Sequence, residues 1–505
     1  MSAAGAAASP SAQEAHVAMT HQRPRIATRG ALACALIGAL VALAWSLVTP
    51  PFQVPDEPLH FAYVQHLAAT GSAPEPGPRP PLSSEVSQAL GASLFSSVIG
   101  NSQSGRPPWP GQAEQTLRAT LDAGLPADDG GGPSNTSSQP PAYYALGVIP
   151  YTLAEWAGAD VLEKIHAVRL LSALLCGLTV LFVFSFVRDL LPGTRLAAPA
   201  GALAVAFQPM FGFAGSGVNA DALLFTVSAA LFALLARSFR FGPTPGRLAA
   251  VAGLIALGLL TKLTFLGVVP GATLGALVLL ARLPRAELRS ALGAVAAAVL
   301  VPILGYVLVS RIAWDRAILA PAAASAVITG RTSSTTGTLS YLLQFYFPRL
   351  PFLQDQIPGQ FPVFSIWFRQ LVGRFGWLDY SFVGSVTWIA LAVWGVLLAF
   401  AGRALVAGRR ALSSRRAELA TYVAATGGLL VVIGVPAYDY VLATTYTFEQ
   451  VRYLFPLLAL YGALVGLAVR GAGPRWGPAV ATGAVSLAIV HTGAALLLTV
   501  GRYYG

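Results

Sequence analysis

The sequence predicts an all-α polytopic membrane protein of about eleven transmembrane helices, with twelve or thirteen left open. Three observations predict it. Of the 505 residues, 55% are hydrophobic and only 10% charged, less than half the charged share of a soluble domain, and the mean hydropathy is +0.64. Apolar stretches close to the 20 residues needed to cross the hydrocarbon core recur along the chain. They fall at 31–49, 166–187, 196–214, 219–238, 247–262, 264–282, 289–311, 382–402, 417–436, 451–469 and 477–499. Finally, the basic residues occupy alternate connections between these stretches.

Lys and Arg accumulate in short cytoplasmic loops. With Arg23, Arg25 and Arg29 inside, the inner loops collect Arg188 and Arg195, then Arg237, Arg240 and Arg247, then Arg282, Arg285 and Arg289. Further on they collect Arg403, Arg409, Arg410, Arg415 and Arg416, and last Arg470 and Arg475. These are 18 of the 32 basic residues, so the formal charge of +11 is a signature of topology. Nucleic acid is not a partner this charge calls for. Cys34 and Cys176 are the only cysteines and lie in apolar runs, which leaves no disulfide framework and no cysteine-based zinc site.

In order, residues 1–30 read as a cytoplasmic tail and 31–49 as a first transmembrane helix that is a retained signal anchor. Residues 50–165 form a first external loop with juxtamembrane helices and a return to the membrane. A bundle at 166–311, a second long external loop at 312–381 and C-terminal helices at 382–505 follow. The protein is then multi-pass, with its N-terminus inside and both long loops outside. Residues 141–158 are apolar but contain Pro150 and Glu155, and a half-inserted or surface helix fits them better than a span. Residues 71–140 are dense in Gly, Pro and Ser, which predicts a partly structured loop.

The chemistry-bearing residues gather around the external side. In Pro55-Asp56-Glu57-Pro58-Leu59-His60 the two prolines restrict the backbone around two carboxylates, and a helix should run from there to Thr70 and stop at Gly71. Asp56 and Glu57 either cap that helix or serve as a general base or metal ligands. Pro140-Pro141-Ala142-Tyr143-Tyr144 turns the chain back toward the bilayer. Arg169 sits early in its span beside His166. Asn219 and Asp221 either cap a helix or line a polar site. Lys262, one of only two lysines, lies between apolar runs, where an ammonium costs at least about 2.5 kcal/mol unless it snorkels or meets an anion such as phosphate. Arg452, beside Tyr453, can bind phosphate bidentately or pair with Glu449. His491 reads as a packing residue. No Walker loop, Rossmann glycine fingerprint or H-E-x-x-H helix occurs, which argues against nucleotide-driven transport, dinucleotide chemistry and metalloproteolysis.

Taken in this order, these motifs resemble the GT-C class of integral-membrane glycosyltransferases. The stretch Pro51-x-Gln53-Val54-Pro55-Asp56-Glu57-Pro58-x-His60-Phe61 is most similar to a bacterial family of membrane proteins of unknown function marked by P-D-E-x-x-H. The resemblance implies a GT-C-like fold in the bacterial cytoplasmic membrane and transfer of a sugar from a polyprenyl-phosphate donor to a glycan or lipid acceptor. It implies Asp56 or Glu57 as the base, with His60, Tyr143, Arg169, Asn219, Asp221, Lys262, Arg452 and Tyr453 around the substrate. It places Lys262 and Arg452 on the lipid phosphate. In some branches of that class the first-loop carboxylate helps hold a divalent cation, and many relatives have a D-x-D or a lone Asp there. Asp-Glu between prolines departs from that pattern and leaves the metal open. A transporter or flippase of lipid-linked or envelope precursors is the alternative.

Overall fold

The computed structural model describes residues 28–75, 79–100, 107–132, 134, 136–314, 335–357, 361–444 and 449–505. Most of the expected tail at 1–30, and part of the loop at 312–381, lie outside them.

Helix α1 (Arg29–Val48) opens the described chain, with the Thr28 hydroxyl accepting from the Ala31 N–H. Helix α2 (Glu57–Thr70) has Pro58 in its first turn and ends at Gly71 in the left-handed region, φ 71°, where glycine costs least. The first loop carries α3 (Ser84–Ala92) before α4 (Ala142–Trp156) returns to the bundle. At 15 residues α4 is roughly 22 Å long, short of a span, and it packs between α2 and α5 (Val161–Leu190). Helix α5 begins five residues earlier than its apolar run because Asp160 and Glu163 form a reciprocal capping box.

The bundle continues with α6 (Ala197–Ala206), α7 (Pro209–Ser216), α8 (Asp221–Phe241), α9 (Pro245–Leu259), α10 (Val269–Leu280) and α11 (Arg285–Leu308). Past the second loop come α12 (Arg369–Gly373), a two-stranded hairpin of β1 (Arg374–Phe375) and β2 (Tyr380–Ser381), α13 (Gly384–Ala407), α14 (Arg416–Thr444) and α15 (Leu458–Tyr503). Helices α5 and α8 form the buried centre, α1, α6 and α15 pack around α5, and α11 and α13 lie at the rim.

All eleven apolar stretches contain helix, but they are not eleven straight spans. Among the described residues seven helices are long and apolar enough to cross, eight if the bent pair α6 and α7 counts as one. That pair bends by 56° where Gln208 leaves the helix and caps α7 through its side chain. The stretches 247–262 and 264–282 become the shorter α9 and α10, separated by a turn at Thr261–Lys262 and a 3-10 segment. The last two stretches are the two legs of one element broken at Gly473, φ 76°, directly before Pro474. The chain is an all-α polytopic membrane protein.

The Arg-rich turns come together. Arg240 donates to the Arg188 carbonyl, Arg415 to the Leu190 carbonyl, and Arg282 lies over the Phe239 ring. The starts of α2 and α8, the α9–α10 turn and the segment before α15 meet at the other end, where the candidate site lies.

Candidate functional site

The P-D-E motif divides its two carboxylates between two tasks. Glu57 is fully buried and faces Arg169, also fully buried, in a bidentate pair: Nε donates to Oε1 at 2.7 Å and Nη2 to Oε2 at 2.6 Å. The Phe52 and Val218 N–H groups donate to the same carboxylate at 2.8 and 3.0 Å. Arg169 spends its remaining donors on the carbonyls of Ser46, Thr49 and Pro50. The end of α1, the loop at 50–56 and the entry to α8 are thus wrapped around one ion pair. Its charges tolerate burial because each acceptor and donor is met. With four hydrogen bonds accepted, the Glu57 carboxylate ties the loop to its neighbours.

Asp56, one residue earlier, faces the other way. It occupies the N-cap position of α2, yet its side chain makes no capping bond and its backbone is left-handed, φ 67°. For a non-glycine residue that costs about 1–3 kcal/mol and marks a conformation imposed by its surroundings. Phe52 is strained in the same way, φ 70°. The Asp56 side chain keeps 40% of its surface exposed and pairs with Nη2 of Arg452. Arg452 is carried by the 3-10 segment Val451–Leu457, and its Nη1 reaches the Pro55 carbonyl at 3.3 Å and Asp221 Oδ2 at 3.5 Å. Asp221, first residue of α8, takes the Lys262 ammonium on Oδ1 at 2.6 Å. Two cations and two anions, spread over 397 residues of sequence, thus form one chain: Asp56, Arg452, Asp221, Lys262.

Burial favours the neutral form of Asp56, but Arg452, His60 and Lys262 outweigh it and bring its pKa below the ordinary carboxylate value. His60, one turn into α2, is buried; burial, reinforced by Lys262, drives its pKa down to about 3, so the ring is neutral. Its Nδ1 is 2.8 Å from the Tyr144 hydroxyl, and Tyr144 stacks on Tyr63 with ring centroids 3.7 Å apart. Tyr143 points elsewhere. Its hydroxyl lies 2.8 Å from Ser172 Oγ and accepts the Asn219 N–H at 3.1 Å, joining α4, α5 and the start of α8. Asn219 lies one residue before the N-cap of α8, and its side-chain oxygen accepts the Asp221 N–H at 2.9 Å. The Tyr453 ring lies 5.6 Å from the Arg452 guanidinium. His491, in the last leg, packs against Phe382.

Two contributors have no signal in the sequence. Tyr144 is set apart from Tyr143 only by one helical step. Gln370 on α12 grips the strand-like stretch before Arg452, accepting the Val451 N–H at 2.9 Å and donating to the Glu449 carbonyl at 3.1 Å. The turn of the hairpin that follows α12 holds Phe52, whose carbonyl accepts from Trp377 Nε1 at 3.0 Å. On the far side of the Arg452 turn lies an apolar groove of about 460 Å³, lined by Val451, Leu454 and Phe455 with Trp367, Leu371 and Tyr461.

A divalent cation does not fit this donor set. Glu57 is saturated by Arg169, Asp56 and Asp221 each face a cation, and among the described residues no three His, Cys, Asp or Glu side chains converge.

Among solved structures the chain is similar to the Archaeoglobus fulgidus oligosaccharyltransferase, both in the apo form and tethered to an acceptor peptide containing the NVT sequon. Identity is 12% and the TM-score 0.40 in each case, covering 94% of this chain and 55% and 54% of those. The chain spans about half the length of these structures, and at such a score nothing about activity follows from them. No curated protein matches the sequence. The profile of a family described as "Predicted membrane protein (DUF2142)" matches residues 39–461, and the chain belongs to that family.

Proposed function

We propose that this protein is a membrane glycosyltransferase that moves a sugar from a polyprenyl-phosphate donor to an acceptor hydroxyl of a cell-envelope glycan or lipid, at the outer face of a bacterial cytoplasmic membrane. One observation carries the reading: two buried cations, Lys262 and Arg452, stand beside a part-exposed carboxylate, Asp56, at one end of an apolar bundle. Cations so placed suit a lipid phosphate, and the groove that begins at Val451 suits its hydrocarbon chain.

In this mechanism Asp56 takes the proton from the acceptor hydroxyl as its oxygen bonds to the anomeric carbon. The bond from that carbon to the phosphate oxygen breaks, and its electron pair leaves with the phosphate. Lys262 and Arg452 stabilise the charge that develops there. Glu57 and Arg169 hold the loop that presents Asp56, His60 and Tyr144 shape its floor, and Tyr143 and Asn219 tie the start of α8 to α4 and α5 behind it.

The test uses membranes containing the full chain and a panel of radiolabelled polyprenyl-phosphate hexoses and pentoses. Transfer should be lost in Asp56→Asn with expression unchanged, and full transfer in that variant rejects the base. A transporter reading draws on the bent pair α6 and α7, since broken helices are common in transporters. Counterflow of the lipid-linked sugar without transfer would favour it.

A further inference from the structure

We infer that Arg452 is an anion-operated latch on Asp56: with the site empty of phosphate it holds the carboxylate idle, and a prenyl phosphate that engages Lys262 and Arg452 sets it free. The inference rests on the donor-phosphate reading above and adds an order of events to it.

The geometry points to an exchange of partners. Arg452 is shared between two carboxylates, Asp56 on Nη2 and Asp221 on Nη1. Its Nε has no hydrogen-bond partner among the described residues, nor has Asp221 Oδ2. Buried polar atoms without partners are costly, so the cluster is poised to accept one more polar group. A phosphate supplies several oxygens and meets a guanidinium bidentately. Two cations would then face three anions, and one carboxylate must yield. Asp221 is buried at 2% exposure and held by Lys262. Asp56 has 40% of its side chain exposed and a strained backbone, so Asp56 is the one displaced.

A released Asp56 is a different base. Paired with Arg452 it resists protonation. Unpaired, and with a phosphate nearby, it keeps the burial that favours the neutral acid and loses the cation that opposed it. The charged and titratable groups around it are His60 on α2, Tyr144 on α4, Asp221 on α8, Lys262 after α9, and Arg452 with Tyr453 before α15. Of these Arg452 alone among the described residues is seen to contact the Asp56 carboxylate. The acceptor proton therefore has a place to go only after the donor has arrived, so donor binding precedes acceptor activation.

The test reads the protonation of Asp56 directly, by its modification with dicyclohexylcarbodiimide, which reacts with protonated carboxyls. Purified full-length protein in detergent is labelled at neutral pH with farnesyl monophosphate or with farnesol, and Asp56 is followed by peptide mass spectrometry. The phosphate should speed labelling about tenfold, as a tenfold larger protonated fraction requires, and farnesol should not. Arg452→Gln should label rapidly with or without phosphate. Lys262→Gln should remain slow and need more phosphate to respond. Binding of radiolabelled farnesyl phosphate is measured alongside. Saturable binding with unchanged or slower labelling overturns the latch and leaves the phosphate site standing. Absence of binding, or binding indifferent to Lys262→Gln, overturns both.

Discussion

The two ends of the bundle handle charge in opposite ways. At the Arg-rich end one buried carboxylate, Asp189, is approached by three arginines, Arg188, Arg237 and Arg240, at 3.3–3.4 Å, all of them partly exposed. Arg415 binds Glu418 through two bonds of 2.8 and 2.9 Å, and Tyr422 adds a third to the same carboxylate. Cations there outnumber anions and also close the C-terminal end of α5, where they suit the helix dipole. At the Asp56 end, cations and anions balance, the cations lie deeper, and polar atoms of Arg452, Asp221 and Asn219 are left without hydrogen-bond partners among the described residues. Surplus, half-solvated charge is what topology and helix closure require. Balanced but incompletely bonded charge, held on a strained loop, is what a ligand site requires.

The sharpest way to break this comparison lies inside the P-D-E motif. Arg169→Met leaves the Glu57 charge buried with two of its four donors gone, a loss of about 3–5 kcal/mol. Folded protein recovered from membranes, read as the monodisperse peak in size-exclusion chromatography, should fall severely. A normal peak would show that the pair does not hold the loop. Asp56→Asn should give a normal peak, and should lower transfer by about 10²–10⁴-fold, the range for a lost general base. If the neighbouring carboxylates behaved alike, the division between scaffold and site would collapse.

That division could not be read from the sequence, and the reason is physical. Adjacent residues at a helix start point in different directions, and which one turns inward depends on Arg169, 112 positions later. The helix itself was legible: Pro58, the apolar run and Gly71 set its limits because they act locally. The apolar stretches were legible for the same reason, while the breaks at Gln208 and Lys262 depend on what surrounds them. Lys262 announced the need for a counter-ion by its cost in an apolar setting, but not that Asp221, 41 residues earlier, provides one. Gln370 carried no signal, since an amide in a loop becomes a clamp only when residues 449–451 lie beside it.

Smaller effects sharpen the contrast. Lys262→Gln removes a charged partner of Asp221 and, on the reading above, of the phosphate. Donor KM should rise about 10–100-fold, from the roughly 1.5–3 kcal/mol of a charged hydrogen bond, with kcat less affected. A fall in kcat alone would move Lys262 off the ground-state phosphate. At the opposite end, Asp189→Asn should lower stability by about 1 kcal/mol, because its arginine partners are partly solvated and screened. Thermal unfolding in detergent reads that shift, and transfer should be unchanged. Loss of transfer without loss of stability would show that the Arg-rich end takes part in the chemistry.

Acidification gives the gentlest discrimination, and its sign follows from His60. The ring is neutral in the folded protein, with a pKa of about 3 against an ordinary 6.5. Below pH 6.5 the unfolded chain therefore takes up a proton that the folded chain refuses. The stability contributed by the neutral ring is complete above 6.5 and is lost as the pH falls toward 3, at no more than about 1.4 kcal/mol per pH unit. His66, also buried on α2, is shifted downward by burial and adds in the same direction. Asp56 opposes neither trend in this window, because its own pKa is depressed and its pairing with Arg452 weakens only at lower pH. The Arg-rich turns at 188–195, 237–247, 282–289, 403–416 and 470–475 contain no histidine. Between about pH 7 and pH 5, then, hydrogen exchange should speed in α2 and the adjoining loop before it changes at the Arg-rich end. His60→Gln should flatten that response, and equal loosening of both ends would show that the two regions do not respond to acid separately.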